Sequence, residues 1–65
     1  MPEVRDIIAE IEEAGWIFYK QEGSHRQYRH PDKPGKVTVN GKPGDDLSAG
    51  RYYDILRQAG LRGKN

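Results

Sequence analysis

Two apolar stripes at helical spacing stand toward the two ends of this chain, and each stops at the same short device. Val4, Ile7, Ile8 and Ile11 fall at i, i+3, i+4 and i+7, and Ala14-Gly15-Trp16 follows. Tyr52, Ile55, Leu56 and Ala59 repeat the spacing and run into Gly60-Leu61. Stripes of this kind are the buried faces of amphipathic helices, and a glycine followed by an apolar residue is a common helix ending. The first helix is predicted over about residues 3–14, with Pro2 suited to its first turn and Glu3 and Asp6 at the positive end of its dipole. Ser48 is the predicted N-cap of the second. Whatever lies between must cover one face of each helix.

That middle reads as strand. "WIFYKQ" (16–21) is aromatic and β-branched, "EGS" is a turn, "HRQYRH" (25–30) is a second strand, and "KVTVN" (36–40) alternates as a third. "PDKPG" is a loop of residues that fix or free φ, and "GKPGDD" is a linker. Short connections imply an antiparallel meander. The fold class is therefore α+β, in the order α-β-β-β-α, with a three-stranded antiparallel sheet carrying both helices on one face and leaving the other open. Residues 1–65 make one domain, and the tail "RGKN" is expected to fray. The layout resembles that of double-stranded-RNA-binding domains, a likeness of fold that carries no function by itself.

No cysteine is present, so helix and sheet packing alone must hold so short a chain. That composition fits a reducing cytosol, and with no apolar run long enough for a membrane span and no signal-peptide pattern the expectation is a soluble cytoplasmic domain. The formal net charge is only +1 but unevenly spread. Residues 1–15 carry Glu3, Asp6, Glu10, Glu12 and Glu13 against Arg5; residues 20–42 carry Lys20, Arg26, Arg29, Lys33, Lys36 and Lys42 against Glu22 and Asp32. The basic excess coincides with the strand pair, so an anion is expected there and is disfavoured at the first helix.

Strand parity sorts the side chains. Val37 and Val39 are the core pair of the third strand, and Tyr28, the one apolar body of the second, belongs with them. The open face then holds His25, Gln27, Arg29, Lys36 and Thr38, while Arg26 and His30 lie on the helix side and reach its rim. In the first strand Trp16 and Phe18 oppose Ile17 and Tyr19, and both pairs can be buried. The two histidines are five residues apart, so a regular strand sends them to opposite faces. They do not form a ribonuclease-type pair. His30, beside Pro31, reads as a turn residue and His25 as the candidate group.

Other chemistries find little support. Two histidines without a carboxylate partner make no zinc site, and adjacent Ser24 and His25 diverge without a buried aspartate to complete a triad. No glycine pattern cradles a phosphate. Asp45 and Asp46 read as acids at the start of the second helix, and Tyr52 and Tyr53 as half-core residues.

"AGW", "GSHRQYRHPDKPGKVTV" and "ILRQAGL", taken together, resemble the HicA family, the small toxins of bacterial toxin–antitoxin pairs. The resemblance runs from Val4 to Leu61, and its most specific part is Gly23-Ser24-His25, the aromatic Tyr28, His30-Pro31 and Ala59-Gly60-Leu61 in that order. It implies a double-stranded-RNA-binding-like fold, an endoribonuclease that degrades mRNA, and a HicB-like antitoxin partner. It places the catalytic histidine of the Gly-Ser-His motif at His25. Where the family often has a histidine-containing segment and a threonine near the second helix, Asn40-Gly41 and Arg51 stand here. No cofactor and no metal is expected.

Cleavage of RNA by its own 2′-hydroxyl needs a base, a proton for the leaving 5′-oxygen and cations around the phosphate. An unperturbed imidazole, titrating at ~6.5, suits either proton role. Lys20, Ser24, Gln27, Arg29 and Lys36 are the expected RNA contacts, with Arg29 and Lys36 on phosphate. The second proton role is open: it falls to Lys20, Arg26, Tyr19 or water, or to none of them. A non-catalytic RNA-binding module and a protein-docking domain are the competing readings.

Overall fold

The computed structural model describes residues 2–61. Helix α1 (Val4–Glu13) is followed by strands β1 (Ile17–Glu22), β2 (His25–Arg29) and β3 (Val37–Asn40) and by helix α2 (Ala49–Gln58). The three strands form one antiparallel sheet in the order β1-β2-β3, so β2 is central. The α-β-β-β-α order and the open sheet match the expectation, with boundaries moved by a residue or so. The expected fraying of the tail lies outside the described residues.

Both helices end in a Schellman motif. Gly15 at φ 103° and Gly60 at φ 75° occupy the left-handed position. The Gly15 N–H bonds the Glu12 carbonyl and the Trp16 N–H that of Ile11; Gly60 and Leu61 repeat this on Arg57 and Leu56. The same device carries Trp16 back onto the core, where it is buried. At the other end of α2, Ser48 Oγ accepts from the Arg51 N–H at 3.2 Å, the expected N-cap.

The start of α1 is closed by the linker, which sequence alone does not foretell. The Val4 N–H donates to the Asp45 carbonyl and the Arg5 N–H to that of Pro43, both at 2.9 Å, and the Leu47 N–H returns a bond to Pro2. Helix donors that would otherwise need water are thus met by "GKPGDD". Asp45 is not an acid of the α2 start: its Oδ2 accepts from the Lys42 N–H at 2.9 Å and holds the linker turn, while the first turn of α2 has no acid. Leu47, on neither periodic stripe, is drawn into the core by this docking.

One cluster forms the interior. Val4, Ile7 and Ile11 from α1, Ile55, Leu56 and Ala59 from α2, and Tyr28, Val37 and Val39 from the sheet pack with Trp16 and Leu47. Ile8 and Tyr52 are only partly buried against it. Each large aliphatic side chain so enclosed contributes ~1.5–3 kcal/mol, a large share of the stability available to a chain this size. Burial raises the Tyr28 phenol above its ordinary range, with Glu12 adding and Arg26 opposing. Tyr53, read as half-core, is 58% exposed.

The first strand corrects the expectation most. Helix–sheet packing is concentrated on β3, and β1 stands clear of it at the sheet edge. Of the two candidate pairs only Trp16 is buried; Ile17, Phe18 and Tyr19 are 61%, 49% and 54% exposed.

Candidate functional site

Register fixes what surrounds His25. The hairpin between β1 and β2 has a two-residue loop, since Glu22 pairs with His25. Gly23 has φ 60° and Ser24 does not share the positive φ, the signature of a II′ turn with glycine first. His25 is therefore the first residue of β2, exposed, with Glu22 across from it on β1 and Asn40 across from it on β3. The Gly41 N–H bonds the Ser24 carbonyl at 3.1 Å, which makes His25 and Asn40 the next, non-hydrogen-bonded pair, where facing side chains come closest.

Alternation continues along β2. Gln27 faces Lys20 and Thr38, and Arg29 faces Ile17. Lys36 Nζ donates to Gln27 Oε1 at 3.3 Å. A β-bulge at Tyr19, the residue skipped between the Phe18–Tyr28 and Lys20–Gln27 pairs, changes the parity of β1 midway. In an unbroken strand Lys20 would share a side with Phe18. The bulge instead puts Lys20 and Glu22 on the same side as Ile17, and there Tyr19 lies under Arg29, whose Cζ is 4.8 Å from the ring centroid. The open face thus gathers Lys20, Gln27, Arg29 and Lys36 around the line of His25, with Ser24 exposed at the hairpin tip. Lys20 pairs with Glu22 at 3.2 Å, whereas Arg29 and Lys36 meet no carboxylate among the described residues.

His30 lies on the other side, as parity requires. Its Nε2–H donates to the Ala14 carbonyl at 3.0 Å, its Nδ1 accepts from the Asp32 N–H at 3.0 Å, and its ring meets Trp16 edge-on at 5.3 Å. A carbonyl can only accept and an amide N–H only donate, so one neutral tautomer is specified. Arg26, a candidate for the second proton role, is on this side too, its guanidinium bound to the Gly41 carbonyl at 2.9 Å. Lys33 reaches the Ala59 carbonyl at the end of α2, which also accepts from Trp16 Nε1. These two bases brace the fold and do not belong to the open face.

Two neighbours of His25 escaped the sequence reading. Glu22 was within reach, because a two-residue turn dictates its pairing. Asn40 entered it only as a departure from the family pattern, and its Oδ1 is buried without a hydrogen-bond partner among the described residues, a state no pattern reveals. No group of three or more His, Cys, Asp or Glu able to hold a metal ion occurs among the described residues. None of their helices is long and apolar enough to cross a membrane.

The arrangement is that of a small α+β domain whose helices fill one side of a sheet and whose other side presents one imidazole among cations. The family model described as HicA toxin of bacterial toxin–antitoxin systems matches residues 4–61, from the first residue of α1 to the last of the α2 ending, and the chain belongs to that family. It is accordingly the toxin side of a toxin–antitoxin system, and membership implies an antitoxin partner. A comparison with curated proteins found no significant match.

Proposed function

We propose that this chain is an endoribonuclease that cleaves mRNA in the cytoplasm, with His25 as its single acid/base group, no metal requirement, and a HicB-like antitoxin as the protein that silences it. One observation carries the reading. The motif histidine is exposed on the cationic sheet face, while the other histidine is bonded into the helix end.

In such a reaction the 2′-oxygen loses its proton to a base and bonds to phosphorus. The P–O5′ bond breaks, and the departing 5′-oxygen takes up a proton. His25 serves one of these transfers. Arg29 and Lys36, free of carboxylates among the described residues, offset phosphate charge. Help from one positioned acid or base is worth ~10²–10⁴-fold, which describes a modest nuclease. For the second transfer, Arg26 is withdrawn by its bond to Gly41 and Tyr19 lies against Arg29 at the far end of β2, leaving Lys20, water and, by register, Glu22.

Expression of His25→Ala beside the parent tests the reading. The parent should arrest growth and degrade mRNA, and purified parent should cleave RNA in the presence of a chelator. His25→Ala should do neither while remaining folded; equal toxicity from both sinks the assignment. The solitary imidazole on the open face also suits a non-catalytic RNA-binding module. Salt-sensitive binding by the purified parent without cleavage, even on long incubation, selects that alternative.

A further inference from the structure

Ile17, Phe18 and Tyr19 form a contiguous exposed apolar run; among the other described residues Tyr53 alone is a large hydrophobic side chain so exposed. With Arg29, His30 and Pro31 they line a shallow groove of roughly 280 Å³ at the end of the sheet remote from His25. An exposed apolar patch of this kind marks a surface that binds something. Three features define its occupant. The bulge turns Tyr19 onto the open face, where the Arg29 guanidinium lies 4.8 Å from the ring centroid. Phe18, which the register turns toward the helix side, is held edge-on against buried Tyr28, its ring centroid 5.9 Å away, so the strand that carries Tyr19 is tied to the core. The rim toward His25 is cationic, with Lys20 and Lys36 beyond Arg29. Aromatic and guanidinium planes beside phosphate-binding cations are what an unpaired base and its backbone require.

We propose that this groove is a nucleobase subsite: an unpaired base of the RNA stacks on the Tyr19–Arg29 platform while its backbone runs along β2 toward His25. Four strand steps separate Arg29 from His25, ~13 Å, so the bound base is a few nucleotides from the scissile phosphate. A stacking site tolerates any base and excludes a paired one, which directs cleavage to unpaired RNA. The ligand class rests on the nuclease reading, but the subsite does not depend on His25 doing the chemistry.

The test is binding of a fluorescein-labelled octauridylate and of the same oligomer with single abasic positions, using the His25→Ala chain so that nothing is cut. Tyr19→Ala should weaken the intact oligomer ~5- to 150-fold with its salt dependence unchanged. Tyr19→Phe should restore it, and one abasic position should match the loss. Arg29→Ala should lower the salt slope by ~0.7 as well as the affinity. Tyr19 is half exposed, so its alanine variant should retain the parent's circular dichroism. Equal affinity for intact and abasic oligomers together with an unaffected Tyr19→Ala overturns the subsite and leaves the nuclease reading standing. Loss of antitoxin capture by Tyr19→Ala without loss of RNA binding overturns it in favour of a protein-docking patch. Cleavage surviving in His25→Ala removes His25 from the chemistry while a Tyr19-dependent affinity still supports the subsite.

Discussion

Replacing each histidine by alanine should separate stability from chemistry. His30→Ala deletes the bond to the Ala14 carbonyl, the bond from the Asp32 N–H and the edge contact with Trp16. A net hydrogen bond is worth ~0.5–1.5 kcal/mol and an aromatic edge contact a similar amount. Ala14 is only partly buried and Asp32 is exposed, so water can reach both orphaned groups and the low end applies. The expected loss is ~2 kcal/mol, set against ~3–10 kcal/mol for the whole chain at ~0.05–0.15 per residue. At ~4–8 °C per kcal/mol the melting temperature falls by ~8–16 °C. His25→Ala removes an exposed ring with no side-chain hydrogen bond among the described residues and should cost less than ~0.5 kcal/mol. Thermal melts by circular dichroism read the first effect. Cleavage of a labelled RNA at 25 °C, normalised to the folded fraction, reads the second. His30→Ala should keep the parent's activity per folded molecule and His25→Ala should lose it. A His30→Ala protein that melts within ~3 °C of the parent yet fails to cleave refutes the division of roles.

Gly15→Ala should be costlier than a routine surface change, because φ is 103° and the new Cβ would stand 2.6 Å from His30 Nε2; a melting temperature within ~4 °C of the parent contradicts the Schellman ending drawn above. Tyr52 donates to Glu10 Oε2 at 2.7 Å, and that bond, then burial, holds its phenol up at about 12. A raised folded value means stability present below the free value of ~10 and lost as pH climbs toward 12, so Tyr52→Phe should flatten the alkaline limb of a denaturation-against-pH curve. Asn40→Val removes a buried oxygen that has no partner among the described residues and should stabilise the chain by ~1–2 kcal/mol in urea titration. Reversing Arg29 and Lys36 to glutamate should abolish measurable RNA binding at 150 mM salt while the far-ultraviolet spectrum is unchanged.

The parts of this fold that were legible are those governed by neighbours in sequence. Helix stripes, the glycine endings, the Ser48 cap and the alternation of β2 and β3 are local, and all appear where spacing puts them. What escaped depends on distant contacts. Burial along β1 is decided by the helices lying over β3, which periodicity within β1 cannot express. The bulge at Tyr19 shifts parity by one residue and moves Lys20 across the sheet, although nothing in "WIFYKQ" marks the slip. "GKPGDD" looked like a spacer because its role, capping α1 through the Pro43 and Asp45 carbonyls, is played by backbone, whose contacts side-chain identity barely encodes. The same limit hid Lys33, counted with the basic surface until its bond to the Ala59 carbonyl placed it among the helix ends.

Charge and layering together determine how a polyanion can approach. Domains of this layout that grip duplex RNA need shape complementarity across two minor grooves and contacts from outside the sheet. Here Asp6, Glu10, Glu12 and Glu13 stand on α1, and Glu10 is further engaged with Tyr52, so the helix layer repels phosphate. In the strand region Arg29 and Lys36 lie on the open face without a carboxylate partner among the described residues, while Arg26 and Lys33 are spent on carbonyls behind it. A three-stranded sheet is too narrow to span two grooves and has its apolar edge at β1 exposed to unpaired bases. The shared layout therefore does not carry its usual binding mode. On the proposed nuclease reading, the approach this leaves is an unpaired strand laid along β2, with its phosphates passing the imidazole that the Gly-Ser turn leaves uncovered.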